Sequence, residues 1–211
     1  MHVLVMGASR GIGFEVARIA LAQGHSVRAF ARNAYDMKLA HPRLQKYSGD
    51  ALIERDVERA LAGADAVVQV LGIRNRDLFR PVELFSRATE ILLALMSRLG
   101  VTRLAAVTGF GAGDSAVALG PFQRLPFRLV FGRAYDDKTR QEELIIASCL
   151  DWTIWRPGVL MNGSASGKAR ILRHPAEWRN GIVSRTDIAT EIVLHLQDTT
   201  FIHEKPIIVR F

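Results

Sequence analysis

The chain has 211 residues, 49% apolar and 23% charged, long enough to bury a sizeable core and too mixed in composition for a disordered protein. One cysteine, Cys149, excludes an internal disulfide and a cysteine-rich metal site, and the six histidines form no close ligand pair, so no metal is expected. Lys and Arg outnumber Asp and Glu by 28 to 21, a net charge of +7 that favours acidic ligands, but the basic residues are dispersed, so a nucleic-acid partner is not expected.

Val3 to Met6 form an apolar run of the kind found in a strand buried on both faces. No signal peptide is expected ahead of it, and no apolar stretch is long enough for a spanning helix, so a cytoplasmic protein without a membrane partner is expected. Gly7 to Gly13 form a turn, after which Ile12, Val16, Ile19 and Ala20 recur at helical spacing until Gly24. Second and third strands are expected at 26–31 and 44–48, then Gly49-Asp50 and a helix over 53–62. A fourth strand follows at 66–71. Pro81 suits the first turn of a helix running to Arg98, and 103–107 is a fifth strand.

The glycines and two prolines of 109–132 read as a loop over one end of the sheet. A helix at 135–148 and a sixth strand at 152–155 come next. Beyond Arg156-Pro157-Gly158 the pattern predicts a small substrate-facing lobe at 159–183, a helix at 186–197 and a last strand at 206–210. Strands alternating with helices imply a single α/β domain, a Rossmann-type doubly wound parallel sheet with helices on both faces and strand order 3-2-1-4-5-6.

The segment GASRGIG (7–13) lies between a strand and an amphipathic helix. Free backbone amides and the helix dipole there suit a pyrophosphate, with Gly7, Ser9, Arg10, Gly11, Ile12 and Gly13 as the binding turn. A tight turn without a ligand is the alternative. NAD sites usually carry Asp or Glu after the second strand; Arg32 stands there instead, and Arg10 lies within the turn. Two guanidinium groups suit a 2′-phosphate, so NADP(H) is expected in preference to NAD(H), unless both are ordinary surface arginines.

GASRGIG, Gly49-Asp50, LGIRN (71–75), Thr108 and WTIWRPG (152–158) occur in this order. Together they resemble the atypical short-chain dehydrogenase/reductases, in particular the NAD(P)H-binding branch similar to biliverdin reductase B/flavin reductase and the NmrA-like proteins. The resemblance covers most of residues 1–160. It implies that Asp50 and Ala51 lie by the adenine, Leu71 and Gly72 beside the adenosine ribose, and Pro157, Gly158 and Val159 along the nicotinamide. Asp50 also suits capping the next helix, and Gly72 and Gly158 suit plain turns.

Many short-chain dehydrogenases use a Ser or Thr, a Tyr and a Lys, with Tyr-x-x-x-Lys on one helix face. Thr108 and Lys138 match, and both then serve the cofactor as well. Ala134 occupies the tyrosine position, and Tyr135 stands one residue late, its aim turned by about a third of a turn. Thr108, Tyr135 and Lys138 are the catalytic candidates, against a reading in which Tyr135 starts the helix and Lys138 is solvated.

A conjugated acceptor takes hydride with protons from solvent, so the missing tyrosine favours reduction of a small organic or flavin-like acceptor. A non-catalytic NADP(H)-binding redox sensor of the NmrA type is the alternative. A sugar-nucleotide epimerase or dehydratase fits less, since it needs Tyr-x-x-x-Lys and a larger C-terminal domain. Phe110, Phe122, Phe127, Phe131 and Trp178, with Arg124, Arg128 and Arg133, suit a lid over a flat anionic molecule, or else loop packing or a subunit contact. Cys149 reads as an inert helix-end residue, and monomer and homodimer are both compatible with the sequence.

Overall fold

Alternate residues of the first strand, β1 (His2–Met6), face opposite ways, and both sets are apolar. Val3 and Val5 enter one core, Leu4 and Met6 another. A strand of this kind is stable only with a layer on each side, and burying each such side chain contributes about 1.5–3 kcal/mol. The structure, a computed structural model, describes residues 1–73 and 82–211, without the side chains of 121–123. Pro81, Arg74 and Asn75 lie outside the described residues, and Phe122 outside the described side chains.

The principal sheet continues with β2 (Ser26–Ala31), β3 (Leu44–Ser48), β4 (Ala66–Gln69), β5 (Arg103–Val107) and β6 (Asp151–Pro157). After β7 (Val159–Met161) come β8 (Arg170–Leu172), β9 (Ile182–Ser184) and β10 (Ile207–Val209). The spatial order is β3-β2-β1-β4-β5-β6-β10-β8, so the expected 3-2-1-4-5-6 core is present. Every pairing is parallel except that of β8 on β10. Within 159–183, β7 pairs with β9 in a separate two-stranded sheet, while β8 closes the edge of the main one.

Two helices, α1 (Gly11–Ala22) and α5 (Arg185–Leu194), cover one face, where Val16, Ala17 and Ala20 meet Ile188, Ala189 and Ile192. On the other face lie α2 (Glu54–Leu61), α3 (Leu84–Leu99) and α4 (Pro121–Ile146), supplying Val57, Leu61, Leu92, Met96 and Ile145. Buried Arg103 ties the far end together: it donates to the carbonyls of His195 at 2.8 Å and Leu196 at 3.2 Å, placing a cation at the C-terminus of α5.

One expected loop is half helix. Residues 121–132, read as part of the loop 109–132, are the first three turns of α4, which runs through Pro126. Pro121 occupies the first turn, where its missing N–H costs nothing, and Phe127, Phe131 and Tyr135 recur every fourth residue. Their rings pack as one cluster, with centroids 5.5 Å apart for Phe127–Phe131, 4.5 Å for Phe127–Tyr135 and 6.3 Å for Phe131–Tyr135. That periodicity overrides the loop signal of two prolines and a glycine.

Candidate active site

Strand register brings the expected site residues to one edge. Met6 pairs with Phe30 and Gln69, Gln69 with Ala106, and Val107 with Trp155. The next residues, Gly7, Val70 to Gly72, Thr108 and Pro157, therefore all lie at the carboxyl ends of parallel strands. The strand order reverses between β1 and β4, with β2 and β3 added on one side of β1 and β4 to β6 on the other, the point where ligands of open α/β sheets bind.

Gly7 sits in that crevice with φ of +90°, its amide donating to the Phe30 carbonyl at 2.8 Å. A β-carbon on Gly7 would stand 2.2 Å from the Val70 carbonyl oxygen, and one on Gly13 2.4 Å from the Gly7 oxygen. Only glycine lets the turn, β4 and α1 approach so closely. The first bond into the helix runs from the Phe14 amide to the Arg10 carbonyl at 3.4 Å, and no side chain caps this end. The amides of Gly11, Ile12 and Gly13 thus have no partner among the described residues, and they offer donors and a positive dipole end to an anion. Ser9 is half-buried in the same turn. Among the described residues, its two chain neighbours apart, nothing lies within 4 Å of where a β-carbon on Gly72 would stand. This turn fits a dinucleotide diphosphate.

Arg10 and Arg32 are both exposed, and neither pairs with an acid among the described residues. Asp50 is half-buried, with Oδ1 accepting the Leu52 amide at 3.0 Å ahead of α2, while Ala51 is buried beneath it. Leu71 is half-buried and packs against the core under α2 and α3. The buried Pro157 accepts the Phe110 amide at 2.8 Å, and Gly158 is pressed against the Gly181 backbone. Val159 is exposed and opens β7.

Thr108, Tyr135 and Lys138 converge on the end of β5. Thr108 is buried and donates its hydroxyl to Glu142 Oε1 at 2.6 Å. Arg156 Nε donates to the same oxygen at 3.0 Å, and Arg156 Nη2 also bonds Glu142 Oε2 and reaches Asp114 Oδ1 at 2.6 Å. Lys205 completes the chain on Asp114 Oδ2 at 2.6 Å. Burial by itself raises the Asp114 pKa, but Lys205 and Arg156 bring it below the ordinary carboxylate value.

Lys138 donates to the Thr108 main-chain carbonyl, with its ammonium 5.2 Å from the Phe85 ring centroid and 5.3 Å from that of Tyr135. Burial pulls its pKa down to about 8, against the opposing charge of Glu142. The Tyr135 hydroxyl lies against Gly109, where a β-carbon would approach it to 2.5 Å. Burial, helped by Glu142, pushes this phenol up to about 12. Ala134, at the usual tyrosine position, is buried.

The aromatic residues divide. Phe110 is buried with Leu119, Leu172, Ile207 and Val209; Phe127 and Trp178 pack on that cluster, and the Arg156 guanidinium covers Trp178. Phe131 is exposed, as are Arg124, Arg128 and Arg133. Cys149 is exposed, just beyond the end of α4. Among the described residues no group of three or more His, Cys, Asp or Glu is placed to hold a metal ion, and no helix is long and apolar enough to cross a membrane.

Sequence reasoning missed Glu142, Arg156 and Asp114 as one network, because they come from α4, β6 and the 113–118 turn, which nothing local connects. It also missed Arg185, whose side chain runs past Gly11. The local signal is Ser184 three residues before Asp187: the Ser184 Oγ accepts the Asp187 amide at 2.9 Å, making Arg185 the first residue of α5.

A family model described as NAD(P)H-binding matches residues 7–199. Among solved structures, the anaerobilin reductase ChuY of Escherichia coli O157:H7 is 27% identical, with a TM-score of 0.84 over 100% of this chain and 97% of that one. A short-chain dehydrogenase/reductase of Veillonella parvula, solved in complex with NADP, shares the fold at 17% identity, with a TM-score of 0.82 over 99% and 94%. Ipsdienol dehydrogenase of Ips pini is 36% identical over 69 residues, 33% of this chain, which spans only 26% of that relative's length. The glycine turn at the strand crossover and the match over nearly the whole chain agree: this protein belongs to the NAD(P)H-binding family.

Proposed function

We propose that the protein is an NADPH-dependent reductase of flat, conjugated, anionic acceptors such as flavins, a reading supported by its similarity to the anaerobilin reductase of Escherichia coli. The observation that carries this reading is the commitment of the Thr108 hydroxyl to Glu142. A threonine has one hydroxyl proton, and this one is spent inside the protein, so Thr108 has none left to polarise a carbonyl. Tyr135, with its pKa near 12, is a poor proton donor at neutral pH, where an efficient acid titrates close to the working pH. An acceptor whose reduction leaves charge spread over a conjugated system needs neither group and draws its proton from water.

In this reading Gly7, Ser9, Arg10, Gly11, Ile12 and Gly13 hold the diphosphate, and Arg10 with Arg32 binds the 2′-phosphate. Asp50 and Ala51 border the adenine; Leu71 and Gly72 border its ribose. Lys138 and the Thr108 carbonyl hold the second ribose, and Pro157, Gly158 and Val159 border the nicotinamide. Reduced nicotinamide supplies a hydride at that end of the groove. The acceptor lies against the exposed apolar side chains of Val159, Leu160, Met161 and Ile182, and the excess of arginine attracts its carboxylates.

Stopped-flow oxidation of NADPH tests this with FMN, a linear tetrapyrrole, quinones and simple aldehydes as acceptors. Faster turnover of the conjugated anions than of the aldehydes is expected, with Tyr135→Phe within about threefold of wild type. A loss of several hundredfold in Tyr135→Phe, or activity confined to aldehydes, would contradict the proposal. Tight cofactor binding without oxidation by any acceptor would instead support the redox-sensor alternative.

A further inference from the structure

Beside the glycine turn, the first residue of α5 points a cation at it. The Arg185 Nε and Cδ lie 3.7 Å and 3.8 Å from where a β-carbon of Gly11 would stand, the nearest atoms among the described residues apart from Gly11's chain neighbours and its own helix backbone. The Arg185 Nη1 donates to the Asn162 Oδ1 at 2.7 Å, in the segment that follows β7. This half-buried guanidinium pairs with no acid among the described residues. The nearest acid in sequence, Asp187, is engaged by the Ser184 and Ser166 hydroxyls and the Ser166 and Gly167 amides. A positive charge held without a counter-ion beside three unpartnered amides calls for an anion that bridges both.

We infer that Arg185, at the start of α5 beside α1, binds the dinucleotide diphosphate, with Asn162 fixing the plane of its guanidinium. The inference rests on the dinucleotide reading above and adds to it a residue from the distant end of the chain. Arg185 acts on the diphosphate, which NADPH and NADH share, whereas Arg32 acts on the 2′-phosphate alone. The two effects therefore separate in one set of titrations.

Calorimetric titration of NADPH and NADH into wild type, Arg185→Gln, Arg185→Lys and Arg32→Gln, each at several salt concentrations, decides the matter. Arg185→Gln is expected to weaken both dinucleotides by the same factor, about ten- to hundredfold, and to lower the salt dependence of Kd. Arg185→Lys recovers part of the loss, since a lysine restores the charge without the fork of donors. Arg32→Gln weakens NADPH alone. Unchanged binding by Arg185→Gln, or a loss with undiminished salt dependence, overturns the inference while leaving the dinucleotide reading in place. Failure of wild type to bind either dinucleotide overturns both.

Discussion

Glu142 gathers the Thr108 hydroxyl and the Arg156 guanidinium around one buried carboxylate. Removing it leaves Arg156 buried with only the half-exposed Asp114 as counter-charge, so Glu142→Ala is expected to lower stability by about 3–5 kcal/mol, measured by urea denaturation. Lys138 is set apart by its pKa of about 8. Because this value is depressed, its charge is present below pH 8 and lost as the pH rises through it. If Lys138 holds the cofactor, NADPH binding weakens above pH 8 in wild type and not in Lys138→Met; fluorescence titration from pH 6 to 10 checks this, and parallel profiles for the two proteins would count against the role. At this scale the sequence showed residue types but not their commitments. Thr108, Lys138 and the displaced Tyr135 were legible from position and spacing. The proton given up to Glu142 was not, because the donor and the acceptor belong to different elements.

Helix ends distinguish the elements. The N-terminus of α5 is capped by Ser184, and that of α3 receives the carboxylate of Asp137, which accepts the Phe85 amide at 2.8 Å and the Ser86 hydroxyl. The N-terminus of α1 has no side-chain cap. The N-termini of α2 and α4 also lack a side-chain cap, so it is the glycine turn ahead of α1, in the reading proposed above, that marks its end for a ligand. Asp137→Ala is accordingly expected to cost about 1–3 kcal/mol of stability, read by thermal unfolding, with little change in NADPH affinity. Gly13→Ala has the opposite emphasis: its β-carbon meets the Gly7 carbonyl oxygen at 2.4 Å, so the turn must shift and NADPH affinity falls by more than tenfold in a calorimetric titration. Strands and the first helix were legible because their apolar periods are short and uninterrupted. The first three turns of α4 were not, since Pro121, Pro126 and Gly132 are loop formers by local rule, and the cluster of rings packed along the helix includes Tyr135, beyond those turns.

Across the whole molecule, the strand order follows from alternation of strands and helices together with right-handed crossovers, and it puts Gly7 beside Val70 at the point of reversal. The residues 7–13 were readable as a tight turn between strand and helix, suited to a diphosphate, because strand, glycines and helix are contiguous. The placement of Arg185 was not: Arg185 and its partner Asn162 come only after the chain has built all the parallel strands up to β6. The stretch between them carries no periodicity long enough to read, and β8 joins the main sheet while its neighbours β7 and β9 pair apart from it. A crystal structure with NADPH bound bears most directly on this assembly. Diphosphate oxygens within hydrogen-bonding distance of the Gly11, Ile12 and Gly13 amides, with the 2′-phosphate facing Arg10 and Arg32, are expected. A dinucleotide bound elsewhere, or none at saturating NADPH, would contradict the account.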